Sequence, residues 1–362
     1  MSAPARRAHS EYMQFAKLRT AARYNLASSG VANCAMEDIS CSPTDFALHG
    51  DNAYGYAPLT ERIAARFGVD PACVVTANGC SFANYLAFAT LLVPGDEVLV
   101  EEPTYELLTS TLQFLRVRIT RFVRAPESRY GLDADAIAAA VTPHTRLIML
   151  TNLHNPSSAL ANDEMIAAIA EVAGRQGAYL LVDEVYRELL FRDGEARTSF
   201  RPDGNILVTS SLTKAYGLSG LRCGWCLAPP EIATRMRQLN DLHGVLPPHV
   251  VECMSVAAFD RLADVRARAN EMIDANRAAY LNLLGNHPKL EQTLFPQGTT
   301  MFPRLRVSDG DALFDLLIAR FETSLVPGRF FGRPTHVRIG LGADPAMTME
   351  ALGRVRAALD FL

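Results

Sequence analysis

The chain predicts an α/β protein, a large domain built on a mostly parallel sheet flanked by helices, with a smaller α/β domain beside it. Three observations carry that expectation. Between about Cys73 and Ala228, short β-type runs alternate with helical patterns. The runs read as continuous apolar stretches, as strands covered by helices on both faces do. Beyond residue 280 the pattern changes to a few strands and two helices, which suits a second, smaller unit. At 362 residues the chain is long enough for both.

Taken in order, Ser10–Ala22 reads as an amphipathic helix in which Tyr12, Phe15, Ala16 and Leu18 cover a neighbour. Strands are expected at Cys73–Thr76, Glu97–Val100, Leu147–Thr151, Tyr179–Val182, Ile206–Thr209 and Cys223–Leu227. Helices are expected between them at Phe82–Leu92, Tyr105–Phe114 and Asn162–Gln176. Glu231–Leu284 is largely helical, interrupted at Pro247-Pro248. Gly298–Val307 and His336–Leu341 read as strands, Asp311–Phe321 and Ala346–Leu362 as helices. The large domain is thus expected over 41–280, with 1–40 joining 281–362 in the small one. No repeat, low-complexity tract or flexible linker interrupts the pattern.

Composition narrows the class. Apolar residues at 49% and charged residues at 20% describe an ordinary globular protein, and a net charge of −4 gives no reason to expect nucleic acid or an anionic membrane as partner. No apolar signal core or membrane-length run appears, so a cytoplasmic protein is expected. The seven cysteines are scattered. Cys223 and Cys226 form a lone CxxC inside an apolar run that reads as a buried strand, without the second pair or histidines of a zinc site. Reduced thiols are the better reading.

The chemistry concentrates in Ser210–Trp225. Lys214 stands there among small and hydroxyl-bearing residues, with Arg222 eight positions on. A lysine that must form an imine needs a neutral amine, an open approach and a fixed cofactor beside it. Ser211 and Arg222 can hold a phosphate, the handle of pyridoxal 5'-phosphate (PLP). The alternative is a surface lysine in a loop.

Other polar residues also follow strands, where ligands of such sheets collect. Asn78-Gly79-Cys80-Ser81 is a glycine turn into a helix, whose first amides suit a phosphate, although many βα turns look alike. Asp183 ends an apolar run; it either caps the next helix or pairs with a pyridinium nitrogen. Tyr186, three residues on, is a half-buried aromatic or a donor to the cofactor's phenolic oxygen. Asn155-Pro156 is a turn whose amide can reach the same oxygen, and neighbouring His154 reads as an exposed loop histidine rather than a proton carrier. Tyr105 either packs in the core or stacks on a flat heterocycle. Arg338, between apolar neighbours on an expected strand, needs an anion, either a structural carboxylate or that of a substrate.

In order and spacing the chain resembles the class I/II aminotransferases, fold-type I PLP enzymes, from about Asn25 to the C-terminus. The most specific parts are Ser211-Leu212-Thr213-Lys214 with Arg222, Asp183 with Tyr186, and Asn155-Pro156. The resemblance implies the aspartate aminotransferase-like fold, a homodimer with active sites at its interface, and a PLP cofactor. It makes Lys214 the Schiff-base lysine, Asp183 the partner of the ring nitrogen and Tyr105 the stacking ring. Asn155 and Tyr186 would contact the phenolic oxygen. Gly79, Cys80, Ser81, Ser211 and Arg222 would hold the phosphate, with Tyr54 reaching the neighbouring subunit's phosphate and Tyr56 as the alternative. Arg338 and Gly30 would bind substrate. Two departures stand out: Ser157-Ser158 replaces the usual Thr-Gly, and Tyr54 immediately precedes Gly55 instead of lying several residues before it.

The implied reaction is transfer of an amino group from an L-amino acid to a 2-oxo acid. Segments such as Ser28-Ser29-Gly30-Val31, Phe302-Pro303-Arg304 and Val326-Pro327-Gly328-Arg329 are similar to the capreomycidine synthase branch. They leave elimination, replacement or cyclisation of an arginine-like amino acid as the alternative. No arginine is readily assigned to a dicarboxylate side chain, and Arg304 reads as a surface residue. An NAD-dependent dehydrogenase lacks its GxGxxG after the first strand.

Overall fold

Seven strands make the central sheet of the computed structural model, which describes residues 7–192 and 196–362. The first six residues of the segment 1–40, and residues 193–195 of the segment 41–280, lie outside the described residues. The strands are β1 (Val74–Asn78), β2 (Glu97–Glu102), β3 (Arg118–Val123), β4 (Thr145–Thr151), β5 (Tyr179–Asp183), β6 (Ile206–Ser211) and β7 (Cys223–Leu227). Their spatial order is β1-β7-β6-β5-β4-β2-β3. All neighbours run parallel except β7, which is antiparallel to both β1 and β6.

The continuous apolar runs follow from burial on two faces. Along β2 and β4, Val98, Val100, Leu147 and Met149 enter one core while Leu99, Ile148 and Leu150 enter the other. Successive side chains of a strand point to opposite faces, so strands covered on both sides are apolar along most of their length. The edge strand β3 was not among the expected strands. It sits at the end of the order, and of its residues only Phe122 is buried, so Arg118 and Arg121 break up the apolar signal.

A second core surrounds a small antiparallel sheet, β8 (Thr300–Met301), β9 (Val326–Pro327) and β10 (Val337–Gly340), with β10 central. The long expected strand Gly298–Val307 is broken into Thr300–Met301 and Arg304–Leu305, with Pro303 between them. The N-terminal segment packs on this core: Tyr24–Asn25 pairs with Thr323–Ser324, and Phe15 meets Phe314 and Phe330 at 4.9 and 4.8 Å. Its helix, Glu11–Leu18, is shorter than the expected Ser10–Ala22 and starts where the Ser10 hydroxyl accepts the Met13 N–H at 3.1 Å.

Candidate active site

A cavity of about 170 Å³ opens at the C-terminal ends of the parallel strands. Tyr105 follows β2, Asn155 follows β4, Asp183 ends β5 and Lys214 follows β6. Because β7 is antiparallel, the residue before its first strand position, Arg222, arrives at the same edge; Asn78 of β1 pairs with Cys223. Nine of the expected site residues line the cavity: Cys80, Ser81, Tyr105, Asn155, Asp183, Tyr186, Ser211, Lys214 and Arg222.

Two glycines adjoin it through close approach. At Gly79, with φ +83°, an added Cβ would lie 2.2 Å from Arg222 Nη2, so the guanidinium lies over bare backbone. At Gly30 a Cβ would crowd Lys214 Cδ at 3.2 Å, and the next residue, Val31, donates its N–H to the Lys214 carbonyl at 3.0 Å. Tyr54 stands apart from these residues, exposed, with its hydroxyl donating to Asp241 at 3.3 Å.

Lys214 gives up its proton more readily than an ordinary lysine. Burial lowers its pKa to about 8, Arg338 and Arg222 push the same way, and Asp183 opposes them. Asp183 is buried, and desolvation raises its pKa. Hydrogen bonds from Asn84, the Val185 N–H and Cys80 pull it back. No α-helix follows Asp183. Its carboxylate accepts the Val185 N–H at 3.1 Å in a local turn ahead of the 3-10 helix Arg187–Leu190, so the helix-cap alternative is not realised.

Tyr186 and Tyr105 are each tied to the N-terminal segment. The Tyr186 hydroxyl donates to Ser29 Oγ at 2.8 Å, and burial raises its pKa. The Tyr105 ring meets Tyr12 edge-on at 5.2 Å, and its hydroxyl points to Met13 Sδ at 3.3 Å.

Arg338 is fully buried on β10, with Tyr12 and Phe331 rings 5.6 and 5.1 Å from its guanidinium. It donates to Tyr12 Oη and Ala27 O at 2.8 Å and to Asn155 Oδ1 at 3.3 Å, while its Nε has no partner. Among the described residues no carboxylate pairs with it. A buried guanidinium with neutral partners only is short of an anion.

His154 corrects the expectation of an exposed loop residue. It is buried, Nδ1 facing Ser157 Oγ at 2.6 Å and Nε2 facing the Pro103 carbonyl at 2.8 Å. Desolvation, with Arg124 nearby, lowers its pKa well below the ordinary value. The turn around it is closed by Asn152, whose amide spans the Ala161 carbonyl and N–H at 2.9 and 3.1 Å. Arg304 is exposed as expected and pairs with Glu291 at 3.1 Å. Tyr12, Met13, Ser29 and Asn84 also line the cavity and were not expected as site residues from the sequence. Tyr12, Met13 and Ser29 arrive from the N-terminal segment, and Asn84 lies one turn along the helix from Cys80.

A family profile described as aminotransferase class I and II matches residues 45–355. The chain is 30% identical over 333 residues to capreomycidine synthase of Streptomyces vinaceus, covering 88% of this chain and 85% of that one. It is 28% identical to the arginine–pyruvate transaminase AruH of Pseudomonas aeruginosa, over 83% and 81% of the two chains. Among solved structures it is similar to a PLP-dependent aminotransferase of Streptococcus suis, with TM-score 0.89, 22% identity and coverage of 97% and 96%. Thermus thermophilus aspartate aminotransferase with maleate aligns with TM-score 0.83 at 20% identity, over 96% and 94% of the chains. The chain belongs to the class I and II aminotransferases, transferases that work with pyridoxal 5'-phosphate.

Proposed function

We propose that this cavity binds PLP and an L-amino acid, and that Lys214 moves the proton between the substrate's α-carbon and the cofactor so that the amino group passes to a 2-oxo acid. The observation that carries this reading is a buried lysine of lowered pKa whose amine feels both a buried carboxylate, Asp183, and a buried arginine with no carboxylate partner among the described residues, Arg338. The residues fit the cofactor. Asp183 offers an acceptor-only carboxylate to a ring N–H, and the Tyr186 hydroxyl and Asn155 amide stand ready for the phenolic oxygen. Tyr105 supplies a ring face. Gly79, the amides of Cys80 and Ser81 at a helix N-terminus, Ser211 and Arg222 make a phosphate cup.

When bound, PLP supplies an aldehyde that condenses with amines and a ring that accepts the electron pair left when a bond to Cα breaks. The chain does the rest. Arg338 takes the α-carboxylate bidentately in exchange for its neutral partners, with Gly30 leaving room beside Lys214. The Lys214 amine would take the Cα proton and deliver it to the cofactor's aldehyde-derived carbon, on the other side of the nitrogen. Asp183 would hold a negative charge for the ring nitrogen, and Tyr12 and Met13 line the cavity.

Asp183 is the one carboxylate among the lining residues. Once it is engaged, the described cavity lining offers a distal guanidinium no second carboxylate, which favours transamination over chemistry on an arginine-like side chain. The test is an amino-acid panel offered to the PLP-loaded enzyme with and without a 2-oxo acid. A spectral change to pyridoxamine phosphate with amino acid alone is expected. Ammonia or a cyclic product formed without a 2-oxo acid would overturn transamination.

The lowered pKa of Lys214 gives a pH prediction. Only the neutral amine attacks an aldehyde, and it is gained as pH rises through about 8. Below that, each pH unit should slow PLP uptake by the apoprotein about tenfold. Stopped-flow absorbance should show the rate levelling above pH 8; a rise continuing past pH 10 would mean an ordinary, unperturbed lysine.

Dimerisation is supported by Leu48, Tyr54, Leu242 and Val245, exposed apolar side chains on two adjoining loops linked by Asn52 Nδ2 donating to the Pro247 carbonyl at 2.8 Å. Tyr54 would reach the other subunit's phosphate from this face, and sedimentation as a monomer would overturn it. Among the described residues no helix is long and apolar enough to cross a membrane. The seven cysteines are free thiols, which suits the cytoplasm as its compartment; secretion of the native chain would exclude it.

A further inference from the structure

Asp183 is gripped from outside its own loop. Its Oδ1 accepts the Val185 N–H, while Oδ2 accepts the Asn84 amide at 3.0 Å and the Cys80 thiol at 3.3 Å. Asn84 lies in the helix Cys80–Leu91, buried among Ala83, Leu86, Ala87 and Phe88, where an apolar residue would be the ordinary choice. A buried amide is tolerated only when both its ends are satisfied. The second end is satisfied here by Thr209, whose hydroxyl donates to Asn84 Oδ1 at 2.6 Å. With its oxygen engaged, the amide must turn its N–H₂ toward Asp183. Thr209 lies in register with Asp183 on the neighbouring strand, so β5, β6 and the helix converge on one carboxylate.

We infer that Asn84, oriented by Thr209, is a positioning residue that holds Asp183 as an ionised, acceptor-only carboxylate for the ring nitrogen of the cofactor. The inference rests on the role proposed above for Asp183. Burial works against the charged form, and among the groups facing Asp183 the Asn84 amide opposes it most strongly, ahead of Val185 N–H, Cys80 and Lys214. Tyr105 and Tyr186 also feel the Asp183 charge. The Cys80 thiol is itself pushed well up by burial and by Asp183, so it stays a protonated donor.

The test uses two variants, Asn84→Leu, which cannot donate, and the near-isosteric Thr209→Val, which frees the amide to turn. Apoprotein labelled with [4-¹³C]aspartate is titrated by NMR, the Asp183 signal being assigned from its loss in Asp183→Asn. Asn84→Leu should raise the Asp183 titration by about one pH unit or more and weaken PLP uptake by about tenfold or more. Thr209→Val should move both in the same direction by less. Unchanged Asp183 titration and PLP affinity in folded variants would overturn the inference, as would a fall in melting temperature as the sole effect. Should Asn84→Leu fail to fold, Thr209→Val decides. A wild-type apoprotein that takes up no PLP would instead sink the reading of the site, and the NMR shift would still judge Asn84.

Discussion

Replacing Lys214 with alanine should lower kcat by about 10⁴-fold or more, because one residue both bonds the cofactor and carries the α-proton. No other residue can take over. Lys214 is the one lysine lining the cavity. The fold should hardly notice. The link from Val31 to this position runs through the Lys214 backbone carbonyl, which alanine retains. Removing an amine from a site that disfavours its charge costs little, so stability should move by less than about 1 kcal/mol. Single-turnover absorbance on the PLP-loaded variant, beside a denaturant melt, separates the two effects. A variant turning over within tenfold of wild type would remove Lys214 from the mechanism.

Arg338→Lys should cut kcat/KM for amino acids by about 10²–10³-fold, since a buried, hydrogen-bonded charge pair is worth several kcal/mol. Lysine keeps the charge but loses the planar fork that grips a carboxylate at two points. Some stability should also be lost, on the order of 1–3 kcal/mol, because Tyr12 Oη and the Ala27 carbonyl lose their partner. The two contributions are told apart by substrate. Reaction with simple amines that lack a carboxylate, and PLP uptake by the apoprotein, should stay near wild type while KM for amino acids rises. An equal loss for amines and amino acids would mean that Arg338 only braces β10.

Several elements were legible because their signals are local. The runs that became β1, β2 and β4 to β7 announce themselves, since a strand buried on both faces is apolar along most of its length. The edge strand β3 did not, because half-exposure admits Arg118 and Arg121. Pro303 split a strand that the apolar count had joined. His154 looked like a loop residue by its neighbours in sequence, and only the return of the chain through Ala161 and the carbonyl of Pro103 buries it.

The sequence by itself determined the class of fold and the family, and it named the lysine, carboxylate and arginines whose order along the chain follows the order of the strands. Those residues are tied to strand ends, and a strand end is a place the sequence states. Only the tertiary structure decided what surrounds them. Asn84 meets Asp183 across 99 residues, Thr209 meets Asn84 across 125, and Tyr12 meets Arg338 across 326. Such contacts depend on which side of a helix or sheet comes to face another element. Packing settles that question, because no periodicity or spacing within one segment records the partner it will meet.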